Sequence, residues 1–343
     1  MNGKDRKMNQ KLSGKSGGFP PAGPAPRLNT AVFALAAAFF VAALLVLGAC
    51  NTGTGSEPDA DKKEFTDLPY GTHERQKLDL VFPDFPGNIG KAIPVVLYIH
   101  GGAWISGDKA DGIFESVKKS AAAAGLAAAS MNYRLLNNPS GAKCQDMLDD
   151  VQAAAVLIKK KSSDLGVEIN KLCVIGFSAG AHLALLYSYA RAGQSPLPIE
   201  FCISLSGPTD FLDPSWFSTG GMDYKLGLVN ALTGKVFTGE DYTALGKKKS
   251  IAADKMEALE KISPITHAAQ AVPTLLAHGK KDDVVPFTNA ERLNTALPAG
   301  KKLGFVEFPN SGHGLDAGAD SSIWNALFAK INELVSGLAD KAG

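Results

Sequence analysis

Short apolar segments alternate with amphipathic segments over most of the chain after residue 65. Residues 93–99 form a continuous apolar run, as expected of a strand that is covered on both faces. Residues 77–82 alternate polar and apolar side chains, which predicts a half-buried edge strand. Further strands are predicted at 126–131, 172–177, 201–205, 274–277 and 303–308, and helices at 112–124, 142–161, 179–192, 289–297 and 321–338. This alternation predicts an α/β fold with a mostly parallel central sheet and helices on both faces.

The stretch from about 210 to 261 interrupts the alternation between two predicted strands. It is too long for an ordinary connection, contains Trp216 and Phe217, and includes helix-like residues at 251–261. Connections of this length are usually lids or binding loops, so the sequence predicts a lid-like insertion.

The first residues have a different pattern. Residues 1–30 carry several basic side chains against the single acid Asp5, and residues 31–49 are apolar, uncharged and end in Gly48-Ala49. A basic region, an apolar region and small residues at its end indicate a secretory signal. Because the basic flank stays inside, the rest of the chain is expected outside the cytoplasm.

Cys50 directly follows these small residues, an arrangement that resembles the lipobox of bacterial lipoproteins. The resemblance implies a signal peptide over 1–49, a lipidated Cys50 and a flexible polar tether over 50–64. It also implies a location in the bacterial cell envelope, with the protein attached to the membrane by its lipid anchor. The alternative is an uncleaved membrane anchor, for which 31–49 is just long enough.

Charge changes the picture little. The 343 residues carry 35 Lys and Arg against 34 Asp and Glu, a formal net charge of +1. Residues 1–49 carry six basic residues against one acid, so the rest of the chain has 29 basic against 33 acidic residues and is mildly acidic. This balance argues against a nucleic-acid partner, which would need a basic face.

A candidate nucleophile lies between the strand at 172–177 and the helix at 179–192. Gly176-Phe177-Ser178-Ala179-Gly180 matches G-x-S-x-G, and the strand–turn–helix context forces the serine into an exposed, strained turn. The helix N-terminus favours negative charge that develops nearby. Ser178 is therefore the predicted nucleophile.

The base is found by elimination among the six histidines of the chain. The other five lie before the core strands, in the insertion, in the helix after Ser178 or in other motifs, whereas His313 lies in a loop after the last strand. An acid must orient this base, and either Asp282 or Asp283, after the strand at 274–277, could do so. The order Ser, Asp, His is that of α/β-hydrolases.

Residues 100–104, His-Gly-Gly-Ala-Trp, directly follow the strand at 93–99. Glycines at a strand end can present backbone N–H groups to a carbonyl oxygen that becomes negatively charged. The N–H groups of Gly101, Gly102 and Ala179 are therefore the predicted oxyanion hole.

These motifs resemble the α/β-hydrolase superfamily over about residues 70–340. Within it, the chain is similar to esterases related to hormone-sensitive lipase and to the feruloyl and acetyl-xylan esterase-like BD-FAE group. The resemblance rests on residues 100–104, 132–135, 176–180, 282 and 312–314. It implies an α/β-hydrolase domain over 65–343, and its D-x-x-V-P element marks Asp282 as the acid. The Gly-Gly-Ala-Trp motif and Leu136-Asn137-Asn138 depart from the lipase pattern.

The predicted function is a carboxylesterase-type serine hydrolase that acts through Ser178, His313 and Asp282 on a small-molecule or carbohydrate-linked ester. No cofactor or metal is expected, and Trp104, Trp216 and Phe217 are candidates to line the substrate pocket. The alternatives are an amidase, peptidase or formamidase on the same triad, and a surface binding lipoprotein without turnover. Cys144, Cys173 and Cys202 are interpreted as core residues, since adjacent strands rarely suit a Cys173–Cys202 bridge.

Overall fold

A computed structural model describes residues 63–339 except 84, 137–140, 220 and 317. The predicted signal peptide, Cys50 and the tether up to residue 62 lie outside the described residues. The described part begins with a strand at Lys63, inside the stretch that was expected to be tether.

The strands follow the predicted order, with one strand added at the beginning. They are β1 (Lys63–Pro69), β2 (Lys77–Phe82), β3 (Ala92–Ile99), β4 (Ala127–Asn132), β5 (Glu168–Phe177), β6 (Ile199–Leu205), β7 (Thr274–Gly279) and β8 (Lys302–Phe308). The α-helices are α1 (Phe85–Asn88), α2 (Gly112–Ala123), α3 (Cys144–Asp164), α4 (Ala179–Ala190), α5 (Met222–Thr233), α6 (Gly239–Gly246), α7 (Ala253–Ile262), α8 (Thr288–Ala296) and α9 (Ser321–Ala339). Short 3₁₀ helices lie at Ala192–Gln194, Pro214–Phe217, Pro264–Gln270 and Ala299–Lys301.

The strands form one eight-stranded sheet in the order β1-β2-β4-β3-β5-β6-β7-β8. The pairs β1/β2 and β2/β4 are antiparallel, and all pairs from β4/β3 to β7/β8 are parallel. The predicted mostly parallel sheet is confirmed. The carboxyl ends of β3, β5, β7 and β8 meet at one edge, where ligands bind in open α/β sheets.

The prediction that β2 is an edge strand is wrong. β2 lies between β1 and β4, and β1 is the edge strand. The alternating pattern predicted solvent exposure for the polar residue Asp79. Asp79 is instead buried, and its Oδ1 lies 2.8 Å from Lys109 Nζ. A buried ion pair of this kind removes the link between polarity and solvent exposure on which the pattern depends.

Each face of the sheet is covered by helices. Helices α2 and α9 pack on one face, where Ile175 and Ile203 belong to the same cluster as Phe114 and Trp324. Helices α3, α4 and α8 and the insertion cover the other face. The insertion holds α5, α6 and α7, of which only α7 was predicted as helix-like material.

The three described cysteines, Cys144, Cys173 and Cys202, are buried free thiols, as predicted for core residues. Burial raises the pKa of Cys144 and Cys202 to about 12, so these sulfur atoms are inert. Within residues 63–339 as described, no helix combines the length and the apolarity that crossing a membrane requires.

Candidate active site

Ser178 occupies a strained turn between β5 and α4. Its backbone has φ 52° and ψ −118°, and its N–H donates to the carbonyl of Leu205 at 2.8 Å. The flanking glycines allow this close approach, since a Cβ at Gly176 would lie 2.3 Å from the Gly180 oxygen and one at Gly180 would lie 2.0 Å from the Ile99 oxygen. The motif therefore needs glycine at both positions for steric reasons.

The structure brings Ser178, His313 and Asp282 together from the ends of different strands. His313 Nε2 lies 2.8 Å from Ser178 Oγ, and His313 Nδ1 lies 2.8 Å from Asp282 Oδ2. Because an ionised carboxylate only accepts, Nδ1 carries the proton and Nε2 is left to accept the hydrogen bond from the serine hydroxyl. This arrangement lets the imidazole remove a proton from Ser178.

The carboxylate of Asp282 is held by four donors. Oδ1 accepts the N–H groups of Val284 at 2.9 Å and Val285 at 2.8 Å. Oδ2 accepts from His313 and lies 3.0 Å from His278 Nε2. Burial alone would raise the pKa of Asp282, but the electrostatic interaction and hydrogen bond with His313 and the hydrogen bond of His278 hold it well below its usual range. Asp282 is therefore ionised at neutral pH.

His278 was not expected to touch this group. Its Nε2 also lies 3.0 Å from the carbonyl of Val285, which can only accept, so Nε2 carries a proton. The signal in the sequence is its position four residues before Asp282, at the end of β7. Asp283, the other acid left open by the residues alone, is exposed to solvent.

The loop that carries His313 is fixed from the start of α9. Asp320 accepts the backbone N–H of Asn310 at 3.0 Å and the hydroxyl of Ser311 at 2.6 Å. A Cβ at Gly279 would lie 2.3 Å from the Gly312 oxygen, so the end of β7 packs directly on this loop. These contacts hold His313 at the distance that Ser178 requires.

The loop after β3 lies beside the serine turn, since a Cβ at Gly101 would lie 2.8 Å from Phe177 Cδ1. In this loop the carbonyl oxygens of Gly101 and Gly102 both have hydrogen-bond partners. Gly101 O is 2.7 Å from His100 Nδ1, and Gly102 O accepts the N–H groups of Ile105 and Ser106, each at 3.0 Å. In a trans peptide the next N–H points the opposite way, so the N–H groups of Gly102 and Ala103 face away from these partners.

This geometry bears on the predicted oxyanion donors. Of these two N–H groups, that of Gly102 is a predicted donor, and that of Ala103 is a further candidate that the sequence did not indicate. Ala179 is the first residue of α4, where a backbone N–H has no partner within its own helix. The role of Gly101, Gly102 and Ala179 as donors stays a prediction.

Arg75 holds this loop through His100. Arg75 Nη2 lies 3.2 Å from His100 Nε2, and a guanidinium only donates, so Nε2 accepts and Nδ1–H donates to Gly101 O. Burial lowers the pKa of His100 to about 4, and the nearby charge of Arg75 adds to the effect. His100 is therefore neutral, with one defined tautomer.

Two of the three residues predicted to line a pocket are inside the core. Trp104 and Trp216 are each 2% exposed, and the ring of Phe211 lies 6.2 Å from the first indole and 5.0 Å from the second. Trp104 Nε1 also donates to His182 Nδ1 at 3.2 Å. Both indoles are packed in the core, whereas Phe217 is half-buried, and contact of any of the three with substrate stays a prediction.

In the described part of the chain, no group of three or more His, Cys, Asp or Glu side chains is arranged to hold a metal ion. The site is built instead from a serine hydroxyl, an imidazole and a carboxylate, with backbone N–H groups beside them. This set of groups suits acyl transfer through a covalent intermediate.

Several curated relatives are named as esterases, and others as non-reducing polyketide synthases. The chain is 28% identical over 264 residues to isoprenylcysteine alpha-carbonyl methylesterase ICME of Arabidopsis thaliana. This alignment covers 72% of this chain and 55% of that protein. It is 26% identical over 260 residues to esterase LipC of Mycobacterium tuberculosis, with 72% and 59% covered. The chain therefore spans little more than half the length of these relatives.

Solved esterase structures share the fold. A truncated carbohydrate esterase from gut microbiota superposes with a TM-score of 0.63 at 18% identity, over 84% of this chain and 100% of that one. Esterase B from Lactobacillus rhamnosis also gives a TM-score of 0.63 at 18% identity, over 91% and 95%. The BD-FAE family model matches residues 78–297, which include Ser178 and Asp282. This match covers more than half of the chain, so the chain belongs to the BD-FAE family and has the α/β-hydrolase fold of carboxylesterase-type hydrolases.

Proposed function

We propose that this protein is a serine carboxylesterase in which Ser178, His313 and Asp282 form the catalytic triad. The observation that carries the proposal is the continuous hydrogen-bonded chain from Ser178 Oγ through His313 to Asp282, with both contacts at 2.8 Å. The family match and the esterase relatives support the same reaction class.

The first half of the reaction forms an acyl-enzyme. Ser178 Oγ attacks the ester carbonyl carbon while His313 Nε2 takes the hydroxyl proton. Asp282 holds the imidazole in the correct tautomer and stabilises the imidazolium that forms. N–H groups of the loop after β3 and of Ala179 stabilise the oxyanion, and His313 then protonates the departing alcohol.

The second half releases the acid. A water molecule takes the place of the alcohol, His313 removes its proton, and the hydroxide attacks the acyl carbon. The second tetrahedral intermediate collapses, Ser178 leaves with the proton from His313, and the enzyme returns to its starting state. All the groups needed for both halves belong to this chain.

For the substrate we propose a small-molecule or carbohydrate-linked ester. A structural neighbour is described as a carbohydrate esterase, and a second is described as a bifunctional GH43-CE protein of Bacteroides eggerthii. These descriptions support a carbohydrate-linked alcohol as one class to test.

The test compares hydrolysis of p-nitrophenyl acetate and butyrate by the wild type, Ser178→Ala and the matched variant Ser163→Ala, which changes an exposed serine of α3. We expect the first variant to lose activity and labelling by a fluorophosphonate, and the second to keep both. Faster turnover of matched amides would favour an amidase. A wild-type protein that neither hydrolyses acyl substrates nor takes the label would overturn catalysis and favour a binding protein.

For the N-terminus we propose a lipid anchor at Cys50 that holds the domain in the cell envelope. The apolar segment at 31–49 and the small residues before Cys50 support it. In Cys50→Ser we expect loss of a lipid label and release of the protein from the membrane fraction. Retention of this variant in the membrane would favour an uncleaved anchor instead.

A further inference from the structure

The insertion contains a lysine whose side chain is almost completely buried. Lys225, in the first turn of α5, is 2% exposed. Its Nζ donates to the carbonyl of Val284 at 2.7 Å, to Thr219 Oγ1 at 2.9 Å and to the carbonyl of Trp216. These three acceptors use all the donor capacity of an ammonium group.

These contacts join the insertion to the loop that carries Asp282. Trp216 and Thr219 belong to the insertion, whereas Val284 follows Asp282 after β7. The same Val284 residue donates its N–H to Asp282 Oδ1 at 2.9 Å. One residue therefore separates the buried ammonium from the carboxylate that orients His313.

Packing alone does not account for a lysine at this position. Removing an ammonium from water is costly, and an apolar side chain of similar volume would avoid that cost. Burial lowers the pKa of Lys225 to about 8, although the charges of Asp282 and Asp283 oppose this effect. The ammonium also lies 4.3 Å from the ring centre of Trp216, a cation–π contact that compensates part of the cost.

We propose that Lys225 is a positioning residue whose buried ammonium fastens the insertion to the Asp282 loop and acts electrostatically on the Ser178–His313–Asp282 chain. The inference rests on the proposed function. The ammonium holds the Val284 residue whose N–H binds Asp282 Oδ1, and its positive charge opposes a further positive charge within the chain of hydrogen bonds. The insertion is then part of the catalytic apparatus as well as a cover.

In the described part of the chain, the charged groups around this arrangement include those of β7, of the loop after it and of α5. Asp282 and Asp283 of the loop after β7 act on Lys225. His278, at the end of β7, shares Asp282 Oδ2 with His313. On α5 itself the neighbouring acid Asp223 is exposed to solvent, which screens its charge.

The test measures kcat/KM against pH for the wild type, Lys225→Met, Lys225→Gln and Lys225→Arg. We expect the acid limb to move up by roughly half a pH unit in the two neutral variants, the size of one partly screened charge. Arg should keep the wild-type limb. The control is Lys255→Met, which removes another insertion lysine that pairs with Asp241 at 2.8 Å.

An acid limb that coincides in the wild type and both neutral variants, or that moves equally in Lys255→Met, overturns the inference. Gln is the second variant in case Met prevents folding, since it can still donate to the Val284 carbonyl without a charge. A readout without turnover separates the two proposals: the NMR proton resonance of His313 Nδ1–H, which reports its hydrogen bond to Asp282, should shift in Lys225→Gln and not in Lys255→Met. If the wild type hydrolyses no ester, the proposed function fails, and this resonance still decides whether Lys225 acts on the His313–Asp282 pair.

Discussion

Arg75 Nη2 lies 3.2 Å from His100 Nε2, which connects the turn before β2 to the loop after β3. The same guanidinium donates to the carbonyls of Tyr133 at 3.0 Å and Gly107 at 2.9 Å. The rings of His100 and Tyr133 stack with their centres 4.5 Å apart. Through these contacts, Arg75 holds the loop after β3, which contains the predicted oxyanion donors Gly101 and Gly102.

Replacing Arg75 with Met should lower kcat about tenfold. The donors would stay in the chain but lose a fixed orientation, so the effect should be smaller than the roughly 10²–10³ lost with a donor itself. Steady-state kinetics on a p-nitrophenyl ester measures this. Arg191→Met, which removes a guanidinium paired with Asp149 on α3, is the control and should retain wild-type kcat. Equal kcat in both variants would contradict the role of Arg75.

Asp282→Asn and Asp283→Asn should differ sharply although the two residues are adjacent. Asp282 contacts His313 at 2.8 Å, whereas Asp283 is exposed. An amide at 282 can favour the wrong imidazole tautomer, and this should lower kcat by roughly 10³–10⁴. Asp283→Asn should remain within about twofold of the wild type, since it changes a surface charge. Similar losses in the two variants would mean that Asp282 does not act through His313.

Trp104→Phe should reduce stability more than it changes substrate binding. The variant leaves His182 Nδ1 without its buried donor, which should cost about 1–3 kcal/mol of unfolding free energy. Urea unfolding measures the loss, and KM should stay within about twofold. Phe217→Ala is the contrasting variant and should raise KM, because this half-buried ring is the most accessible of the three aromatic residues predicted to line the pocket. A large rise in KM for Trp104→Phe with unchanged stability would show instead that this ring contacts substrate.

Stability should fall between pH 6.5 and pH 4. Burial lowers the pKa of both His100 and His182 from 6.5 to about 4, so in this window the unfolded chain binds protons that the folded protein does not. Each such histidine makes the unfolding free energy fall by up to about 1.4 kcal/mol per pH unit on acidification. Urea midpoints measured across the window should show this slope. His182→Gln should flatten it, and His73→Gln, which changes a half-buried histidine, should retain it. If the pH dependence of the unfolding free energy is the same in His182→Gln as in the wild type, His182 does not contribute to it.

Local patterns predicted most of the fold. Apolar runs identified β3, β4 and β5, and G-x-S-x-G between a strand and a helix indicated Ser178 because the turn requires small neighbours. The pattern did not predict β1. This strand lies at the edge of the sheet, and its residues are half-buried or exposed without a clear apolar face. The pattern also failed at Asp79, since a buried partner can compensate a polar side chain anywhere in a strand.

Sequence by itself determined the order of most strands and helices, and it indicated Ser178 and His313 as the candidate nucleophile and base. These follow from periodicity, from the geometry of one turn and from the small number of histidines. The residues around Asp282 left two acids open, and only tertiary structure placed Asp282 against His313. It also showed that Arg75 contacts His100, that Lys225 contacts the Asp282 loop and that His278 contacts Asp282. Their contacts join segments that are distant along the chain, and such contacts depend on how the carboxyl ends of parallel strands meet, which no local pattern encodes.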